Sequence, residues 1–180
     1  MIGSERFQNI IIVVTISAAI IGSGFMVGNA YYYGGSYILT ERLDISLAAI
    51  NVSNADPGNS TGNPLISLTF NMRVTAQAEG NARVTFLGAT LWMNSDILSL
   101  MAFAFYPTLA DQYLHSGYNK NVTMSQSAGS PDDNQAVWDA YNTSTWAWNV
   151  TLRYSMIVFD LPGSITTRFL YFYTTDFTLA

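Results

Sequence analysis

The sequence predicts a mainly β protein, a β-sandwich ectodomain preceded by one N-terminal transmembrane helix. Three observations carry this. No charged residue occurs from Phe7 to Thr40, and within that stretch Ile10 to Val27 is an apolar run broken only by Thr15, Ser17, Ser23 and glycines. Further on, Leu65 to Gln77 and Trp146 to Val158 alternate apolar and polar side chains with the period of two that a strand with one buried face requires. Gly80 and Asn81 stand between runs of this kind, where a turn is needed.

The N-terminal run comes first. At about 1.5 Å per residue, Ile10 to Val27 rises roughly 27 Å, and counting on to Tyr32 covers a hydrocarbon core of about 30 Å. Tyr31, Tyr32, Tyr33 and Tyr37 follow at once, where amphipathic rings favour the headgroup layer, and Phe7 stands near the other end. A cleaved secretory signal is the alternative. Its basic leader is weak, because Arg6 is nearly cancelled by Glu5, and the run is longer than a usual signal core. The layout expected is a short cytoplasmic N-terminus over 1–9, a signal-anchor helix over 10–32, a juxtamembrane linker over 33–37 and an extracytoplasmic β-sandwich over 38–180.

Orientation rests on acceptor sites as well as charge. Asn51, Asn59, Asn121, Asn142 and Asn149 each begin an N-x-S/T triplet, and all follow the apolar run. N-linked glycans on these residues require the C-terminal part to face outward. Within the apolar run, Gly24 and Gly28 form a small-x-x-x-small pair, with Ser17 two turns earlier on a similar face. Small residues there allow a second helix to approach, although glycine is also common in membrane helices in general.

The strands follow in order. In Leu65 to Gln77, Ile66, Leu68, Phe70, Met72, Val74 and Ala76 point inward. In Trp146 to Val158 the inward set is Trp146, Trp148, Val150, Leu152, Tyr154, Met156 and Val158, which turns Asn149 outward. Leu43 to Ser53 slips phase near Ala48 and Ala49, and Arg83 to Met93 near Gly88, as at β-bulges. Arg168 to Leu179 carries aromatic residues on both faces and reads as a strand covered on both sides. Ile97 to Tyr106 is apolar almost throughout, and periodicity leaves its type open. Gly117 to Thr145 reads as a long polar loop, within which Ser130 and Pro131 start a short helix through Trp138.

The order of these pieces resembles membrane-anchored LEA-14 or WHy-type sandwiches over roughly residues 43–105. The resemblance is carried by the anchor, the Gly80-Asn81 break after the alternating strand, the run Ala-Thr-Leu-Trp-Met-Asn-Ser-Asp from Ala89, and the late Trp146 strand. It implies an immunoglobulin-like or LEA-14-like fold and a non-enzymatic surface domain.

Composition narrows the chemistry. The chain has 180 residues, 49% hydrophobic and 11% charged, with seven basic residues against twelve acidic ones and a formal charge of −5. No basic patch is available to displace counterions from phosphates, so no nucleic-acid partner is expected. Without cysteine there is no disulfide, thiolate zinc site, thiol nucleophile or blue-copper ligand set. Many acceptor sites without cysteine fit an archaeal-type cell surface.

His115 is the sole imidazole. Asp111 four residues earlier could orient it towards a hydroxyl such as Ser116, yet no nucleophile-elbow motif accompanies them. Asp56, Asn59 and Asn63, or Asp132, Asp133 and Asp139, could offer oxygens to calcium, but their spacing is not that of an EF-hand and the same residues serve turns. No catalytic residue, cofactor or metal is therefore expected. The partners expected are the lipid bilayer, N-linked glycans, and other membrane or envelope proteins or a second copy of the chain. The function expected is a structural or accessory subunit, with a pilin-like or strand-exchanging filament subunit as the alternative.

Overall fold

A computed structural model describes residues 2–59, 61–98, 103–159 and 164–179. Helix α1, Ile2–Glu41, runs 40 residues without interruption, about 60 Å at 1.5 Å per residue. It is long and apolar enough to cross a membrane. From Glu5 to Gly34 every residue is exposed, so the chain's own fold leaves most of the apolar surface there uncovered. Residues 33–37, expected as a linker, are helical. The reason is tertiary, because the last two turns are docked: Gly35, Ser36, Leu39 and Thr40 are buried against the domain that follows.

That domain is built from two sheets. In the first, β1 (Leu43–Ser53) pairs antiparallel with β2 (Leu65–Val74), which pairs antiparallel with β6 (Asn119–Ser127); β9 (Thr178–Leu179) joins β1 in parallel. In the second, β3 (Ala82–Met93) pairs with β7 (Trp148–Val158), and β7 with β8 (Ile165–Thr174). The short β4 (Asp96–Ile97) and β5 (Phe103–Phe105) also pair with β3. Helix α2 is the single turn Leu109–Gln112, and α3 is Pro131–Thr143. Both sheets contribute to one hydrophobic core, in which Ile66, Leu68, Phe70 and Met72 of β2 share burial with Trp148, Val150, Leu152 and Met156 of β7. The Phe70 and Phe172 rings lie 5.8 Å apart between the sheets.

The alternating runs thus fold as their period dictates, and β1 slips register between Leu47 and Ala49 as expected. Three expectations change. The slip in β3 falls between Val84 and Phe86, not at Gly88. Gly88 serves another purpose, since a Cβ there would come within 2.7 Å of the Phe86 ring, which lies under the Arg153 guanidinium at 5.0 Å. Within Gly117 to Thr145, the long loop is replaced by β6 and α3. Only Val122 and Met124 of β6 are buried, too few apolar residues to mark a strand. Lastly, β8 is covered on one side only: Leu170 and Phe172 face inward, whereas Tyr171 and Tyr173 are 67% and 80% exposed. Of the apolar run Ile97 to Tyr106, residues 99–102 lie outside the described residues.

Helix α3 begins where its sequence indicates. The Ser130 hydroxyl accepts from the Asp133 amide at 2.9 Å, and Pro131 occupies the first turn, where its missing N–H is not needed. Ser130→Ala should therefore lower stability by about 1 kcal/mol in urea unfolding, and Ser130→Asp should recover it.

The helix–domain junction is tight. A Cβ on Gly35 would sit 1.9 Å from the Glu79 carbonyl oxygen, and one on Gly80 would sit 2.4 Å from the Ser36 nitrogen. The Asn81 amide donates to Ser36 Oγ at 2.7 Å, and Ser36 Oγ donates back to the Tyr32 carbonyl at 2.8 Å. The Tyr33 and Phe159 rings meet at 4.2 Å, and Arg168 of β8 pairs with Glu41. Strand register then defines two ends. Leu43, Val74, Ala82, Val158 and Ile165 lie at the helix end, while Ser53, Leu65, Met93, Trp148 and Thr174 lie at the far end.

Candidate functional site

The apolar helix α1 and the far end of the domain hold the candidate functional residues. In α1, Ser17, Gly24 and Gly28 recur at seven and four residues, which keeps them on one face of the helix. A Cβ on Gly24 or Gly28 would meet nothing within 4 Å, so that face is open to a neighbour. Seven residues further on, the same face reaches Gly35 and is occupied by the Glu79 carbonyl.

Four of the five acceptor asparagines are carried towards the far end. Asn51 is two residues from the end of β1, Asn59 lies in the loop after it, Asn142 is in the last turn of α3, and Asn149 is the second residue of β7. Asn121 on β6 is nearer the helix, opposite Asn71. Asn59, Asn121 and Asn142 are exposed; Asn51 and Asn149 are half-buried. Asn149 differs further, because its Nδ2, the atom a glycan would occupy, donates to the Tyr173 hydroxyl at 3.2 Å. In the Asn59 triplet, Ser60 lies outside the described residues.

The outer face of the first sheet is a charge-poor polar ladder. Ser67 and Ser125 hydroxyls are 2.8 Å apart, Thr69 and Thr123 hydroxyls 3.0 Å, and Asn71 donates to Asn119 and Asn121 at 2.9 and 2.8 Å. Paired in this way, the side chains stiffen the sheet's exposed surface. The second sheet is different. Its outer face presents Phe169, Tyr171 and Tyr173 on β8, and a cleft of about 350 Å³ at its far end is lined by Trp92, Ser95, Ala147, Trp148, Asn149 and Tyr173. The Asn94–Ser95 turn beside it has both residues at positive φ, 52° and 77°. Asn94 holds that turn by donating to the Thr145 carbonyl and accepting from the Ala147 amide, at 2.7 and 2.8 Å. A second cleft, of about 470 Å³, separates the β1 bulge at Leu47 to Ile50 from Tyr171 to Thr174 of β8. The exposed aromatics of β8 were not legible as a surface, because aromatic residues on both faces of a strand do not show which face a second layer covers.

The remaining candidates are drawn into local structure. The Asp111 carboxylate accepts one hydrogen bond from the Thr108 hydroxyl at 2.8 Å and pairs with Lys120 at 3.0 Å, so it is engaged away from His115. Nδ1 of His115 lies 2.8 Å from the Ser116 carbonyl, and its ring stands edge-on to Tyr118 at 5.7 Å. Hydrogen bonding from Lys120, then from Thr108, holds the Asp111 carboxyl below its ordinary range. A depressed carboxyl favours the fold above its unfolded pKa and loses that contribution as pH falls through the folded value. Lys120→Ala should accordingly move the Asp111 midpoint up towards that of a free aspartate in an NMR titration.

Asp56 caps its own turn, accepting from the Gly58 amide at 2.8 Å. Asp133 is buried in the first turn of α3, whereas Asp132 and Asp139 are not buried, and Asp139 accepts from Gln135 at 2.7 Å. Among the described residues no group of three or more His, Asp or Glu side chains could hold a metal ion.

No protein-family model and no curated protein matches the chain. A solved structure described as "Crystal structure of protein from Archaeoglobus fulgidus" aligns with 73% of this chain and 94% of its own, at 9% identity and a TM-score of 0.40. A likeness of that size assigns neither family nor activity.

Proposed function

We propose that this chain is a non-enzymatic, single-pass surface glycoprotein, a structural or accessory subunit of a membrane or envelope assembly. Its C-terminal domain faces outward and has an immunoglobulin-like or LEA-14-like sandwich fold. One observation carries the reading: an apolar helix left largely bare by its own chain from Glu5 to Tyr32 runs directly into a domain with its own hydrophobic core. Lipid covers such a helix without further protein. The acceptor asparagines clustered towards the far end fit glycans held away from the bilayer. Partners bind at the exposed aromatic face of β8 and at the Ser17, Gly24 and Gly28 face of α1, where small residues let a second helix approach.

Fractionation of the native host tests this. The chain should stay with membranes through alkaline carbonate washing, protease added to intact cells should remove the domain after Glu41, and mild detergent should release it with discrete companion chains. A C-terminal domain cleaved only after the cells are opened would refute the orientation. A clean monomer would refute the accessory role.

The second reading is a filament subunit, favoured by the rigid junction at Gly35 and Gly80. A polymer packed through its helices needs every head held at one angle, and no flexible segment separates helix from domain here. A mature N-terminus within residues 4–10, found by mass, together with filaments on the cell surface, would favour this reading over the first.

A further inference from the structure

We propose that the helix end of the β-domain, at Phe159 and Ile165 beside Tyr33 of α1, is seated in the lipid headgroup layer of the bilayer that α1 crosses. The inference rests on the membrane-anchor reading and deepens it. About 20 helical residues fill a hydrocarbon core of about 30 Å, so a span that begins at Ile10 leaves the core between Asn29 and Tyr32. From Tyr32 to Ser36 the helix climbs only about 6 Å more, within the roughly 5–7 Å that headgroups add on each side. Yet this is already the level at which the domain is in contact. The Phe159 ring rests on Tyr33, the Asn81 amide reaches Ser36 Oγ, and the Glu79 carbonyl lies against Gly35. The rigid junction leaves no slack by which the domain could stand off.

The side chains at this level suit such a position. Ile165, the first residue of β8, is 63% exposed, and Tyr37 of the helix is 62% exposed. Neither is covered by the domain, and aromatic rings with one polar end gather at this depth. Phe159 adopts a φ of 60°, which a bulky residue rarely does, and it is held there by its amide donating to the Asn81 carbonyl at 2.9 Å and its carbonyl accepting from Ser164 Oγ at 2.8 Å. This conformation at Phe159 goes with a ring that faces the helix at Tyr33. The charged groups nearby are compatible: Arg168 is paired with Glu41, and Glu79 keeps an exposed carboxylate for headgroup water.

The chain has no cysteine, so single-cysteine variants can carry one spin label each without other changes. Ile165→Cys, Gly22→Cys within the span and Ser125→Cys near the far end would be made in the full chain, in vesicles of equal parts phosphatidylcholine and phosphatidylglycerol. Accessibility to oxygen against a water-soluble nickel chelate reports depth. The label at 165 should fall between the other two, with the nickel chelate relaxing it several-fold less than at 125. If 165 matches 125 while 22 is protected, the domain stands clear of the bilayer and the proposal fails with the anchor intact. If 22 is as accessible to nickel as 125, the helix is not in lipid and both readings fail.

Discussion

Phe70→Ala should destabilise the β-domain by about 3–5 kcal/mol, the range for truncating a buried phenylalanine. Phe70 is fully buried on the inner face of β2, and its ring meets Phe172 of the other sheet. Its removal leaves a void between sheets that strand pairing holds in place, so little collapse can refill the space. Tyr171→Ala removes a ring of similar size from the neighbouring position on β8, but from its outer face. It should change stability by no more than about 0.5 kcal/mol. Urea unfolding in detergent, followed by tryptophan emission, compares the two. Equal losses would mean that the faces of β8 are assigned the wrong way round.

Gly35→Ala should loosen the union of helix and domain by about 1–3 kcal/mol, the cost of overpacking a tight contact. The atom in the way is the Glu79 carbonyl oxygen, and its carbon is 3.0 Å from the added Cβ. Both belong to the backbone, so no rotamer change relieves the overlap. Hydrogen exchange at Asn81 and Phe159 reads the result, because the Asn81 amide donates to Ser36 and the Phe159 amide to the Asn81 carbonyl. Both amides should exchange faster in the variant. Gly24→Ala is the control: nothing lies within 4 Å of its Cβ, and exchange in the domain should not change. Unchanged exchange in Gly35→Ala would restore a flexible linker and remove the geometric basis for both the filament reading and the seated domain.

Legibility followed burial pattern. Strands β2 and β7 announced themselves because five inward positions in a row in β2 and six in β7 are apolar while most of the outward ones are polar. The β1 bulge was readable from its broken phase. Strand β6 was not, since Val122 and Met124 are its only buried apolar residues and its outward Thr, Ser and Asn look like loop chemistry until Ser67, Thr69 and Asn71 are placed opposite them. Of the candidate sites, the acceptor asparagines and the small-residue face of α1 were visible as motifs. The Trp92 and Tyr173 cleft was not, because it joins β3, β7 and β8 from distant parts of the chain.

By itself the sequence determined that an apolar helix comes first and that two-faced strands follow, because hydrophobic periodicity is local and is written in consecutive residues. Only the tertiary structure decided where the helix stops being bare, which face of β8 meets water, and that Gly35 and Gly80 lock the two parts together. Those outcomes depend on which distant backbone arrives beside a residue. No period along a single chain encodes that.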